Sequence, residues 1–367
     1  MSNLKKRKKK KYIILKSVLL ISSATLILLF FAITYFYPDF LFRSSILLPG
    51  SETNSGPRRP RVDNHLNSSQ DQVVIALLGF DRDTSRVGPN RIFRTDTIMI
   101  ASINFKNKQV SVLNIPRDSY VKISGTNIYD KINHSYYYGY NSPPDGVEPH
   151  IGGINTTLET IQDFLGDVQI HEYVAIDMDG AASIIDEIGG IYFDVELVVR
   201  APTEDRRVLV DKGYQLLDGE KFMYYVRYRG SGGGGEWGRN DRQQEIMIEL
   251  FKQLKSESRF MNILGLYRNL NRFIETDINL GQITALSMLA SKIDEDEIKR
   301  FIFSGRGQLS YRDGQNIWYL VTDEEERVKI IKEVFDIAVE KRVIPPLPAP
   351  FIYTPYESDP IYVGEPE

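Results

Sequence analysis

Acids and arginines placed at the ends of short apolar runs are the residues of this 367-residue chain best suited to chemistry. The run VVIALLGF (73–80) leads straight into Asp81. Asp96 stands in Arg94-Thr95-Asp96-Thr97, at the start of TIMIASINF (97–105), and QVSVLNI (109–115) passes into Ile115-Pro116-Arg117-Asp118. In layered α/β sheets functional groups gather where strands give way to loops, so Asp81 and Asp96 can approach one another. Two carboxylates with few other ligands suit a hard cation such as Mg²⁺, which keeps waters and accepts phosphate oxygens. Farther on, Arg227-Tyr228-Arg229 is followed by Arg239 and Gln243, spaced so that a helix puts the last two on one face. With Arg117 these guanidiniums have the planar forks that grip phosphate oxygens in pairs. The aromatic flanks in FMYYVRYR suggest a half-buried setting, in which arginine needs an anionic partner. The residues alone therefore point to an anion site, pyrophosphate held with a divalent cation. Taken singly, an Asp at a strand end is more commonly an N-cap or turn residue, and an exposed Arg a solvated group.

Other chemistries are excluded. The chain has no cysteine, which removes disulfide scaffolds, thiolate zinc sites, cysteine catalysis and iron–sulfur clusters. GxSxG, HExxH and phosphate-loop motifs are absent, and His65, His134, His150 and His171 show no metal-ligand spacing. The run Gly232–Gly235 lacks the Lys-Ser/Thr of a phosphate loop and reads as a floppy surface loop.

The elements that must position these groups are strands and helices in mixture. Apolar runs at 73–80, 97–105 and 109–115 predict strands, the last two joined as a hairpin through Lys106-Asn107-Lys108. NTTLETIQDFLG predicts a helix with Asn155 as N-cap and Gly166 as C-cap. A strand over 171–177, a helix stopped by Gly189-Gly190 and a strand IYFDVEL follow. Helices are expected over 217–229, 240–255, 281–292 and 324–341, with a strand near 300–304. The pattern implies a layered α/β domain over 72–343 and an extended, Pro-rich acidic tail over 344–367.

The formal charge of −4 conceals two opposite parts. Residues 1–16 hold eight basic groups and no acid; removing those eight from the 45 leaves 37 basic against 49 acidic groups, a net of −12. Between them Ser17–Tyr37 runs 21 residues without a charge, enough for a helix of about 30 Å, the hydrocarbon thickness. A cleaved signal peptide would have a shorter apolar core and a small-x-small site, and TYFYPDFLF offers none. The expected topology is a basic cytoplasmic segment 1–16, a transmembrane helix 17–37, a polar linker 38–71 and a domain outside the cell membrane. Nucleic acid is not an expected partner, because an acidic exterior repels its phosphates.

LLGFD with RTDTIMIASI, then SVLNIPRDSYV, YDKINHSYYYG, YVAIDMDGAASIIDEIGGIYFDV, GYQLLDGEKFMYYVRYR and GRNDRQQ stand in one order over roughly 72–255. This succession resembles the LytR-CpsA-Psr family of cell-wall glycopolymer ligases. The resemblance implies a mixed central sheet flanked by helices, with an apolar tunnel for a lipid tail, behind one membrane anchor. It implies transfer of a glycopolymer from a polyprenyl-pyrophosphate carrier to peptidoglycan, with Mg²⁺ or Mn²⁺ as cofactor. By position, Asp81 and Asp96 resemble the metal-associated acids, Asp96 also a base. Arg117, Arg227, Arg229 and Arg239 resemble the catalytic arginines, and Arg94, Lys131 and Gln243 further pyrophosphate-binding groups. Two other functions keep the same residues: a lipid-pyrophosphate hydrolase with water as acceptor, and a non-catalytic surface regulatory or lipid-binding protein.

Overall fold

The structure, a computed structural model, describes residues 72–81, 93–105, 109–203, 205–230, 232–256, 267, 273–290, 292–293, 298–312, 315–347 and 351–353. The basic lead 1–16, the apolar stretch 17–37, the linker 38–71 and the Lys106–Lys108 turn lie outside these residues. Among the described residues no helix is long and apolar enough to cross a membrane.

Six strands form the central sheet: β1 (Gln72–Phe80), β2 (Thr95–Asn104), β3 (Gln109–Asn114), β6 (Glu172–Asp177), β11 (Ile274–Thr276) and β12 (Ile298–Ile302). Their order is β11-β6-β1-β2-β3-β12. β2 runs antiparallel to both β1 and β3, and β6 and β12 run parallel to β1 and β3 respectively. The sheet is thus mixed, as expected. β1 is a continuous apolar run because both its faces are covered. Val74, Ala76, Leu78 and Phe80 enter one core, Val73, Ile75 and Leu77 another.

The first core is sealed by α1 (Ser135–Asn141), α2 (Pro149–Phe164) and the later α7 (Glu324–Phe335). The second is looser: beside Ile278 and Ala285, its residues Leu77, Ala101, Ile103, Phe105, Val174, Ile283 and Leu286 are only partly buried. α6 (Leu280–Ala290) lies on this side. A third cluster joins α3 (Met178–Glu187), α4 (Gly219–Arg227) and α5 (Gly235–Ser256) to a two-stranded ribbon of β7 (Ile191–Val195) and β10 (Gly213–Leu217). Small pairs β4 (Tyr120–Lys122) with β5 (Tyr129–Lys131), and β8 (Val199–Arg200) with β9 (Val208–Val210), decorate the loops.

Several boundaries differ from the sequence reading for identifiable reasons. α2 begins at Pro149, not Asn155, with proline in the first turn and no side-chain cap from Glu148. It takes in Gly152 and Gly153, where a Cβ would lie 2.7 Å from the Gly139 carbonyl and 2.6 Å from the Tyr136 ring respectively. They are there for close packing on α1. The helix expected over 217–229 is α4, shortened at both ends: Leu217 closes strand β10, and Asp218 caps the helix by accepting from Lys221 N–H at 2.9 Å. α7 stops at Phe335 because Asp336 takes the left-handed conformation (φ 58°). The hairpin of β13 (Gly305–Arg312) and β14 (Gln315–Thr322) follows the strand expected near 300–304. Part of the tail expected from 344 is tied to the domain. Leu347 is buried with Tyr120 and Tyr319, and β15 (Phe351–Tyr353) pairs with β13.

Candidate active site

Because β2 is antiparallel to its neighbours, its first residues lie beside the last residues of β1 and β3. Asp81, Asp96 and Arg117 therefore meet at one end of the sheet. The backbone N–H of Asp81 donates to the Arg94 carbonyl at 3.0 Å, closing the loop between the first two strands. The β1–β2 register carries an irregularity here: Gly79 faces Thr97 and Phe80 faces Thr95. Asp96 is the extra residue of this bulge, a device that re-aims a side chain at a strand end. Gly79 permits it, since a Cβ there would lie 2.9 Å from the Thr97 Cβ.

Arg117 Nη1 donates to Asp96 Oδ2 at 2.7 Å, and Asn133 Nδ2 reaches Asp96 Oδ1 at 3.4 Å. Arg239, buried in the second turn of α5, donates from Nη2 to the Asp96 carbonyl at 3.2 Å. Next to them Asp118 is buried and paired with Lys131 Nζ at 2.7 Å and Arg117 Nε at 3.5 Å. Burial opposes ionisation of Asp118, but Lys131 and Arg117, with a smaller contribution from Arg239, outweigh it and lower its pKa. The carboxylate stays charged and fixes the two cations that flank it. Asp130 supports the same loop. Its pKa falls to about 2, because burial is overcome by His134 and by hydrogen bonds from Lys131 N–H and Tyr138 OH.

Arg227, the last residue of α4, brings Nη2 to 4.0 Å from Asp81 Oδ1. Its side chain is 45% exposed, so the aromatic flanks do not bury it as expected. Tyr225 and Val226 take the buried positions, and Arg227 and Arg229 face solvent. Arg94 is also exposed and acts on Asp81 through its backbone. Gln243 is buried: its Oε1 accepts from Thr97 Oγ1 at 3.4 Å and its Nε2 donates to the Val226 carbonyl at 3.3 Å. Those contacts brace α5 against β2 and α4.

Sequence reasoning passed over three contributors. Asn133 follows the DKI segment and touches Asp96. Asp118 was visible only as the neighbour of Arg117. Arg242 is the third. Buried in α5, it donates from Nε to the Tyr225 carbonyl at 3.3 Å, from Nη1 to Gly233 O at 2.6 Å and from Nη2 to Tyr228 O. One guanidinium thus ties the end of α4 to the glycine-rich segment. Gly233 is buried under that contact, while Gly232 and Gly234 stay exposed.

Asp81 and Asp96 are the candidate ligands of a divalent cation. Asp81 Oδ1 is a buried oxygen with no hydrogen-bond donor among the described residues. Among those residues no cluster of three or more His, Asp or Glu could hold a metal. Two carboxylates whose remaining positions are filled by waters and phosphate oxygens match Mg²⁺ better than an all-protein cage would, so the donor set fits. Neither of two surface clefts, of about 550 and 220 Å³, is lined by Arg117 or Arg227. Neither cleft is an apolar tunnel leading to these arginines.

The model of the LytR_cpsA_psr family matches residues 50–336. The chain belongs to the LytR-CpsA-Psr family. Its relatives include the polyisoprenyl-teichoic acid–peptidoglycan teichoic acid transferase TagU of Oceanobacillus iheyensis, 28% identical over 282 residues, 77% of this chain and 81% of that protein. The corresponding transferase TagV of Bacillus subtilis is 30% identical over 244 residues, 65% of this chain and 58% of the relative. The crystal structure of B. subtilis TagV superposes with a TM-score of 0.58 at 28% identity, covering 72% of this chain and 98% of that one. This LytR-CpsA-Psr chain shares their mixed sheet flanked by helices. Its charged cluster draws on β1, β2, the β3–β4 loop, β5, the end of α4 and the start of α5.

Proposed function

We propose that this protein is a glycopolymer phosphotransferase of cell-wall assembly. It moves a glycopolymer from a polyprenyl-pyrophosphate carrier to a hydroxyl of peptidoglycan. The observation that carries the reading is the Arg117–Asp96–Arg239 arrangement at one sheet end, one guanidinium on the Asp96 carboxylate and a second on the Asp96 backbone carbonyl, with Arg227 opposite Asp81. The relatives' teichoic acid transferase activity supports it. The apolar stretch 17–37 anchors the protein in the membrane, the basic lead inside and the domain outside.

Asp96 takes the proton of the acceptor hydroxyl, whose oxygen attacks the phosphorus that bears the polymer. The new phosphorus–oxygen bond forms as the bond from that phosphorus to the bridging oxygen breaks. The electron pair leaves on the bridging oxygen, as polyprenyl phosphate. In this reading Arg117, Arg227 and Arg239 bind pyrophosphate oxygens, and binding that strengthens as charge moves to the leaving phosphate lowers the barrier. Asp81 and Asp96 would hold Mg²⁺ (or Mn²⁺), which supplies neutralising charge to the phosphates. Arg229, Arg94 and Lys131 would add further positive charge for the phosphates, Lys131 held by Asp118.

The test uses a purified lipid-pyrophosphate-linked oligosaccharide with a peptidoglycan fragment, and mass spectrometry of the product. A phosphodiester joining the two supports transfer. Free oligosaccharide phosphate in the presence of acceptor would make the protein a hydrolase. Binding with no turnover would make it a lipid-binding protein.

A further inference from the structure

A second site lies on the flank of the domain, away from the arginines. A cleft of about 550 Å³ is lined by Tyr192, Phe193 and Asp194 of β7, Tyr214 of β10, Glu245, Ile248, Glu249 and Lys252 of α5, and Ile298 and Arg300 of β12. That volume is within the range of ligand sites. Along β7, Ile191, Phe193 and Val195 point into the core, so Tyr192 and Asp194 face outward. Tyr214 pairs directly with Asp194 across the ribbon. The Tyr192 and Tyr214 rings stack, with centroids 5.9 Å apart and planes at 16°. They are 49% and 73% exposed, an apolar surface left open to water.

The platform is anchored, not incidental. Tyr192 N–H donates to Gln253 Oε1 at 3.0 Å, and Gln253 Nε2 donates to the Gly190 carbonyl at 3.1 Å, which pins the ribbon to α5. On the opposite wall Arg300 meets Glu245 at 3.3 Å and Lys252 meets Glu249 at 3.6 Å. An exposed ring face carries negative quadrupole charge and attracts the polarised C–H face of a pyranose. Carboxylates accept hydrogen bonds from hydroxyls, and Lys252 and Arg300 donate to acetamido oxygens. Three acids against two bases make the cleft net negative, which disfavours a phosphate-rich polymer and favours an uncharged sugar chain.

We infer that this cleft binds the glycan backbone of the acceptor, several sugars away from the reacting hydroxyl. Glu245 and Lys252 stand about 9 to 20 Å along α5 from Arg239, at 1.5 Å rise per residue. One helix therefore carries both a reaction-site arginine and the wall of the sugar cleft. A polymeric acceptor has to extend beyond the reacting group, and this cleft receives the extension. The role as acceptor subsite rests on the phosphotransferase reading; the sugar-binding property does not.

The test is calorimetric titration of the full-length protein in detergent with an oligomer of N-acetylglucosamine, and separately with a lipid-free glycerol-phosphate oligomer. The expected result is saturable binding of the sugar, weakened at least tenfold by Tyr214→Ala, retained by Tyr214→Phe and unchanged by Arg117→Ala. Transfer by Tyr214→Ala should show a raised KM for acceptor at unchanged KM for lipid donor. No binding by the wild-type protein, binding indifferent to Tyr214→Ala and Tyr192→Ala, or preference for the glycerol-phosphate oligomer would overturn the inference. Tyr214-dependent sugar binding in a protein that transfers nothing would uphold the cleft and remove its acceptor role. That outcome separates failure of the function from failure of the site.

Discussion

The guanidinium of Arg117 and the carboxylate of Asp96, 21 residues apart, are joined by a 2.7 Å ion pair between the end of one strand and the bulge of its neighbour. In the proposed reaction Arg117 would meet the phosphate and Asp96 the incoming hydroxyl. Arg117→Ala is expected to lower turnover by about 10²–10³, the usual loss on removing one preorganised donor. Arg117→Lys, which lacks the fork, should recover only a small part. Single-turnover kinetics with a defined lipid donor measures both, and near-normal rates would remove Arg117 from the reaction.

Gly79 and Thr97 make a second testable pair. Gly79→Ala places a methyl 2.9 Å from the Thr97 Cβ, which forces the bulge beside Asp96 to shift. The expected cost is about 1–3 kcal/mol, as for other overpacked sites. Turnover should fall more than stability accounts for at a temperature where the variant is fully folded. Thermal unfolding and kcat measured together decide it, and an unaltered kcat would mean the bulge does not aim Asp96.

Arg242 reaches no atom of the Asp96 cluster in the hydrogen-bond pattern, yet it holds three carbonyls around Arg227. Arg242→Ala leaves those acceptors buried without a charged donor, a loss of about 3 kcal/mol or more. Urea denaturation should show that loss, with Arg242→Lys intermediate. Among folded molecules the lipid-donor KM should rise, because Arg227 loses its support.

Asp130 supplies a pH signature. Its carboxyl titrates at about 2 in the folded protein, below the ordinary value of 3.8, so its contribution is complete above about pH 4 and is lost as pH falls toward 2. The shift corresponds to about 2 kcal/mol. Asp130→Asn should flatten that part of the stability–pH curve and destabilise the protein at pH 7. Unfolding free energies at pH 7 and near pH 3 test it; equal slopes for both proteins would refute the assignment.

Divalent cation dependence follows from the fit of Asp81 and Asp96. Chelation is expected to abolish turnover, with Mg²⁺ or Mn²⁺ restoring it. Asp81→Asn should raise the Mg²⁺ concentration for half-maximal rate by about tenfold or more, since it removes one of the two proposed carboxylate ligands. Full activity after exhaustive chelation would leave the arginines as the whole electrostatic apparatus.

Much of this was legible in the chain. β1 announced itself as an apolar run ending at Asp81 because both its faces are buried. Asp218 and Asp177, which cap α4 and α3, lie just before those helices. The start of α2 is not legible because Asn155 is a good N-cap by type, whereas Gly152 and Gly153 join the helix only through their close packing on α1. The exposure of Arg227 was misread because aromatic neighbours do not say which side of a helix end faces the core. Asn133 and Arg242 were missed because their partners, Asp96 at 37 residues and the Tyr225 and Tyr228 carbonyls beyond a glycine run, are invisible to local pattern.

The order of the motifs, the charge split and the strand-end acids determine family, layered class and kind of chemistry, because these depend on residue type and short spacing. The register that makes Asp96 a bulge, the choice of Asp118 and Asp130 as buried supports and the stacking of Tyr192 on Tyr214 were decided only in three dimensions. Each arises where strands or helices distant in sequence are brought together, and a pairing energy shared by two segments is written in neither of them alone.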